Sequence, residues 1–232
     1  MNGNKKTQRK QSGFTLIEIA IVLVIIGLLL GGVLKGQELI NSAKVKNLAG
    51  DFKNIPVFIY GYQDKYKAIP GDQIQTALNA QFTGATAATT TTTLANGVIN
   101  GNWNDVTTAS ESFVFWQHVR LAGFAPGSTN TIDSTYMPTN TAGGILGIQS
   151  GTASVTTTPI NQTAGANPIR GSYIICSAGI LGKFAKQLDS TLDDNNTAGG
   201  SMMSGVATAA GTPMTAVATL DDATTYTVCM GV

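Results

Sequence analysis

Glu18 is the residue whose placement demands a chemical explanation. It is the one ionisable side chain in FTLIEIAIVLVIIGLLLGGVL, Phe14 to Leu34, a run otherwise built of apolar residues, glycine and one threonine. As a helix at about 1.5 Å per residue the run spans roughly 30 Å, the hydrocarbon thickness of a bilayer. A carboxylate at that depth costs about 2.5–3.5 kcal/mol even on insertion-based scales, and such groups usually have a partner or a task. The nearest cations, Lys5, Lys6, Arg9 and Lys10, precede the run. Cutting the chain after Gly13 creates another, the α-amino group of Phe14, which can neutralise Glu18 in its own chain or in a neighbour. A cleaved secretory signal has an apolar core of about 7–15 residues and a small-x-small site. Here the run is longer and ends in Gly31-Gly32-Val33-Leu34-Lys35-Gly36. A plain membrane anchor with its basic side in the cytoplasm satisfies the positive-inside rule but gives Glu18 nothing to do.

Gly13-Phe14-Thr15-Leu16-Ile17-Glu18, followed by an apolar helix, resembles the N-terminal motif of type IV prepilins and type II secretion pseudopilins. The resemblance covers about residues 8–40. It implies that a prepilin peptidase cuts between Gly13 and Phe14 and methylates the new Phe14 amine, and that Glu18 pairs with that amine on an adjacent subunit. The implied organisation is a basic leader at 1–13, a transmembrane and polymerisation helix at 14–36, and an amphipathic helix with a globular head at 37–232. Implied partners are the membrane, copies of the same chain and other pilins, and indirectly an inner-membrane assembly platform and its ATPase. The precursor would sit in the inner membrane with a periplasmic head, then move into an extracellular pilus or, in the alternative, a periplasmic pseudopilus. One departure is Lys35, where many pilins carry a proline. Gly27, Gly31, Gly32 and Gly36 either loosen the helix, at about 0.8–1 kcal/mol each relative to Ala, or let helices pack closely in lipid.

Positioning the segment requires a long helix. Leu48, Phe52, Ile55, Ile59, Tyr62 and Tyr66 recur at steps of three and four, one apolar stripe continuing the helix to about Tyr66, with Pro56 kinking it. Asp72 is placed to cap a short helix over 73–80, and Thr108-x-x-Glu111 has capping-box spacing for another over 112–121. The Thr83–Thr93 run reads as a surface loop, and the sole histidine, His118, as a surface or partly packed side chain. Strand-like segments lie near 145–148, 172–176, 214–220 and 224–230, with a helix at 180–188. The expected fold is α+β and pilin-like: a long N-terminal helical spine packed by a small antiparallel sheet with extended loops.

Cys176 and Cys229 each fall in a strand candidate. For a head exported from the cytoplasm an even cysteine count reads as one disulfide, with two separate buried thiols as the alternative. The resemblance implies the bridge, bounding a C-terminal loop as in type IV pilins. Asp189, Asp193 and Asp194, followed by Asn195 and Asn196, offer the oxygens that calcium takes. Their spacing is not that of an EF-hand, and capping a turn competes as a reading. The stretch 185–194 also resembles C-terminal segments of pseudopilin-like proteins, some of which bind calcium.

A net charge of +1, with 12% charged residues, supplies no basic field for nucleic acid. With one histidine and no GxSxG, P-loop or dinucleotide fingerprint, catalysis is not expected. The expected work is structural, a filament subunit for adhesion, twitching motility or DNA uptake. A monomeric membrane-anchored binding protein is the reading from another class.

Overall fold

The computed structural model describes residues 13, 15–89 and 94–232, which divide into a unit ending at Ala43 and a second unit, Lys44–Val232. Helix α1, Leu16–Tyr66, supplies most of the first unit and opens the second. In the second unit its apolar stripe becomes a buried one, through Val45, Leu48, Ala49, Phe52, Ile55, Ile59 and Tyr62. Pro56 lies inside α1 without ending it. The missing donor and ring clash carry a cost of roughly 3 kcal/mol, which burial of Phe52, Ile55 and Ile59 around it offsets.

Two sheets follow. Strands β1 (Leu146–Ser150), β4 (Tyr173–Leu181), β7 (Thr225–Gly231) and β5 (Met202–Gly205) form an antiparallel sheet in the order β1-β4-β7-β5. A smaller sheet places β2 (Ile160–Thr163) between β3 (Ala166–Pro168) and β6 (Met214–Thr215), with β2 and β6 parallel. Side-chain alternation along β4 and β7 divides two cores. Tyr173, Ile175, Ile180, Tyr226 and Val228 join the stripe of α1 in the main core. Ile174, Cys176 and Cys229 face a second core with Trp103, Ile160, Ile169, Met203 and Met214. This period of two makes the central strands buried on both faces. The α+β, pilin-like architecture expected from the sequence is therefore present, with the terminal strand β7 inside the sheet.

Several local expectations are corrected. Helix α2 runs Gln75–Gln81 and has no side-chain cap; Asp72 instead accepts the backbone N–H groups of Asn96 (3.1 Å) and Gly97 (2.7 Å). Helix α3, Glu111–Leu121, starts after Ser110, so Thr108 caps nothing; the Glu111 carboxylate accepts the Asn100 N–H at 2.7 Å. It is packed all round from Glu111 to Arg120, and Gly123 at φ +83 closes its C-terminal turn. Residues 83–89 do not simply face water: Ala85, Ala87 and Ala88 are buried. The rest of that threonine run, 90–93, lies outside the described residues. Ile180 and Leu181 close β4, and the following helix α4 is Gly182–Leu192. The strand expected over 214–220 reduces to the two residues of β6, while β2, β3 and β5 were not expected.

Candidate processing and assembly segment

In the first unit the carboxylate of Glu18 is partnered within its own chain. Thr15 N–H donates to Glu18 Oε2 at 2.8 Å and Thr15 Oγ1 donates to the same oxygen at 2.7 Å. Glu18 N–H donates back to Thr15 Oγ1 at 3.3 Å. With α1 starting at Leu16, this is a reciprocal capping box, Thr15 at the N-cap and Glu18 three residues on. It satisfies helix-terminal N–H groups and seats a negative group against the positive end of the helix dipole. The sequence carried the signal, Thr-x-x-Glu ahead of an apolar run. The same spacing at 108–111 lacks the box.

From Leu16 to Leu34 the apolar side chains are exposed, with Leu16 at 93% and Leu28 at 73%. By length and composition α1 is the one helix among the described residues able to cross a membrane. Among the described residues, a Cβ placed on Gly27, Gly31, Gly32 or Gly36 would meet no heavy atom within 4 Å beyond its chain neighbours and the adjacent backbone of its own helix, so no packing contact seen here requires these glycines. Lys35 pairs with Glu38 at 2.6 Å on the exposed surface. Gly13 is exposed; Phe14 and the basic leader lie outside the described residues.

In the second unit, Cys176 and Cys229 are register partners on β4 and β7 and are joined by a disulfide. Both are fully buried, and the bridge spans 53 residues of chain. His118 is also fully buried, where the sequence predicts a surface or partly packed side chain. Its Nδ1 accepts the Gly71 N–H at 2.9 Å while Nε2 lies 3.0 Å from the Thr86 carbonyl, so Nε2 carries the proton. Burial pushes this imidazole down to about 4, against the opposing pull of the Thr86 hydrogen bond. The ring stacks on Tyr62 and ties α3 to the turn after α1 and to the loop after α2. That is a structural post; both nitrogens are spent on backbone groups. Gly71, at φ +93, is essential to the same joint, because a Cβ there would stand 2.5 Å from the Glu111 carbonyl oxygen.

The three aspartates at the C-terminal end of α4, with Asp189 inside the helix, Asp193 at its C-cap and Asp194 beyond it, behave differently from one another. Asp193 Oδ2 accepts the Met202 N–H at 2.8 Å and Asp194 Oδ1 accepts the Asn196 N–H at 3.0 Å, both holding the turn. Asp189 is fully buried and its carboxylate oxygens make no well-formed hydrogen bond. Burial, then Asp193 and Asp194, push its pKa up to about 6. Among the described residues no group of three or more His, Cys, Asp or Glu side chains is disposed to hold a metal ion.

Comparison with known proteins agrees with the geometry of the first unit. Residues 8–34 match the family model for the prokaryotic N-terminal methylation motif, the prepilin signature of type IV pilins and pseudopilins. Comparison with curated proteins and with solved structures gives no match.

Proposed function

We propose that this chain, a precursor of type IV pilin or pseudopilin type by its N-terminal motif, is a structural subunit of a type IV pilus or pilus-like filament. Prepilin peptidase cuts between Gly13 and Phe14 and methylates the Phe14 amine. The mature subunit, held in the inner membrane with its head in the periplasm, then polymerises through Phe14–Leu48. The observation that carries this reading is a methylation motif running directly into a helix that leaves its apolar surface uncovered around one carboxylate. Apolar contacts supply little net drive while the helix is in lipid, so an ion pair that forms only between subunits gives assembly its register. Thr15 keeps Glu18 hydrogen-bonded in the free subunit. In the filament Glu18 exchanges that partner for the Phe14 amine of a neighbour. Breaking a buried pair by deleting one partner costs about 3–5 kcal/mol.

The head determines what the polymer does, whether adhesion, twitching motility or DNA uptake. A periplasmic pseudopilus of type II secretion uses the same segment in the same way. Glu18→Leu separates a filament subunit from a monomeric anchor. The expected result is normal membrane insertion with sheared or periplasmic fibres lost. Unchanged fibre yield, or mature protein that still begins at Met1 by mass spectrometry, overturns the reading. Fibres sheared from the cell surface indicate a pilus, and fibres confined to the periplasm a pseudopilus.

A further inference from the structure

Away from the helical segment, the Lys44–Val232 unit carries a guanidinium without a partner among the described residues. Between Leu121 and Lys183 the only ionisable Asp, Glu, Lys, Arg or His side chains are Asp133 and Arg170. Arg170 is exposed and enters no ion pair among the described residues. Its backbone, in contrast, is clamped. Ile169 N–H donates to the Ile160 carbonyl at 3.1 Å, the Ile169 side chain is buried, and a Cβ on Gly231 would strike the Arg170 carbonyl oxygen at 1.8 Å. The base of the side chain is thus fixed, while its five N–H donors are spent on no group among the described residues.

Two clefts meet at this side chain. One, about 480 Å³, lies between the loop carrying Thr152 and the segment Asn167–Gly171. The other, about 350 Å³, is lined by Gln162, Asn167, Pro168, Arg170 and Met203 with the backbone of Gly200. Volumes of about 300–1,000 Å³ are those of small-ligand sites. Gln162 and Asn167 are exposed, and Asn167 sits in the left-handed region at φ +53, on the edge strand β3. The second cleft has an acidic margin, since a Cβ on Gly200 would stand 2.2 Å from Asp193 Oδ2 and 3.2 Å from Asp194 Oδ1. One side therefore suits an anion and the other suits hydroxyl donors.

We propose that the paired clefts around Arg170 bind an acidic saccharide, its carboxylate or sulfate held by the Arg170 guanidinium in the cleft beside Thr152 and its hydroxyls by Gln162 and Asn167 in the other. The planar fork of arginine matches an oxyanion in two parallel hydrogen bonds, which lysine cannot reproduce. Pro168 and Met203 give the C–H face of the sugar an apolar wall. Charge alone does not create the site, because the chain has no basic field; the selection comes from one cation between polar amides. The proposal does not depend on whether the polymer is a pilus or a pseudopilus.

The test is isothermal titration calorimetry on the full chain in a polyoxyethylene detergent. The probes are trigalacturonate, its methyl ester of the same shape without charge, and a sulfated trisaccharide. At least one acidic probe is expected to bind at sub-millimolar concentration, with the methyl ester at least tenfold weaker. Arg170→Gln should weaken acidic binding at least tenfold, Asn167→Ala by a few-fold, and Arg170→Lys should fall between wild type and Arg170→Gln. Binding of trigalacturonate alone identifies a carboxylate and of the sulfated sugar alone a sulfate ester; either supports the site. The Arg170 variants remove an exposed side chain, so their melting temperatures should match wild type, whereas Asn167→Ala puts alanine at φ +53 and should melt lower, so its binding is read well below its melting temperature. No binding of any acidic probe, equal binding of the methyl ester, or Arg170→Gln binding like wild type overturns the proposal.

Discussion

Acid should loosen the head through His118. The ring is held neutral, with Nδ1 as an acceptor facing the Gly71 N–H and Nε2 facing the Thr86 carbonyl. A proton added to Nδ1 would put two donors head to head at 2.9 Å. The folded pKa is about 4 against the ordinary 6.5 of an imidazole. A base whose pKa is depressed by folding contributes its full stability above the unfolded value and loses it as pH falls towards the folded one. At about 1.36 kcal/mol per unit, the loss between pH 6.5 and 4 is roughly 3 kcal/mol. For a chain of this size that lowers the melting temperature by roughly 6–12 °C. Asp72, Glu111 and Tyr62 surround the same joint, and Glu111, raised mainly by burial, together with Asp189 changes stability in the opposite sense over this range. The comparison that isolates the ring is therefore wild type against His118→Gln, by near-UV circular dichroism melts from pH 7.5 to 4. Wild type is the more stable protein at pH 7.5, and the gap is expected to shrink by about 3 kcal/mol at pH 4. A gap that stays constant with pH would falsify the assignment of acid sensitivity to this imidazole.

Replacing both Cys176 and Cys229 by alanine should cost about 2–4 kcal/mol, the usual yield of a bridge enclosing a long loop, read as a lower guanidinium midpoint and earlier proteolysis of the terminal strand. Asp189→Asn should stabilise the head by about 1–2 kcal/mol at pH 7, because the native carboxylate is ionised there in spite of burial and two acidic neighbours. That advantage should fade as pH drops from 6 towards 4, where the native acid is itself neutral. If calcium instead raises the wild-type melting temperature and has no effect on Asp189→Asn, a cation rather than a proton quiets this carboxylate.

The stripe through Leu48, Phe52, Ile55, Ile59 and Tyr62 was legible because helical burial repeats every three or four residues along the chain, and it continues on both sides of Pro56, which lies inside the helix. Strands β4 and β7 were legible for a related reason, being runs of branched and apolar side chains buried on both faces. Strands β2, β3 and β5 were not. Ile160–Thr163 and Ala166–Pro168 are short and polar, and they are strands because β2 finds both β3 and Met214 far along the chain. The capping expected from the sequence is absent where a more distant backbone group takes the carboxylate. Asp72 reaches the backbone of Asn96 and Gly97, and Glu111 reaches that of Asn100, instead of their own helix ends.

The amino-acid order alone determined the helical segment, the lone carboxylate within it and the motif ahead of it, because bilayer depth, charge cost and helix period are properties of contiguous residues. Only the tertiary structure decided that His118 is a buried neutral post, that Asp189 has no well-formed hydrogen bond among the described residues, and that the exposed Arg170 lies between two clefts. Those three outcomes depend on which backbone groups and cavities are brought alongside from elsewhere in the chain, and residue type carries no record of such neighbours.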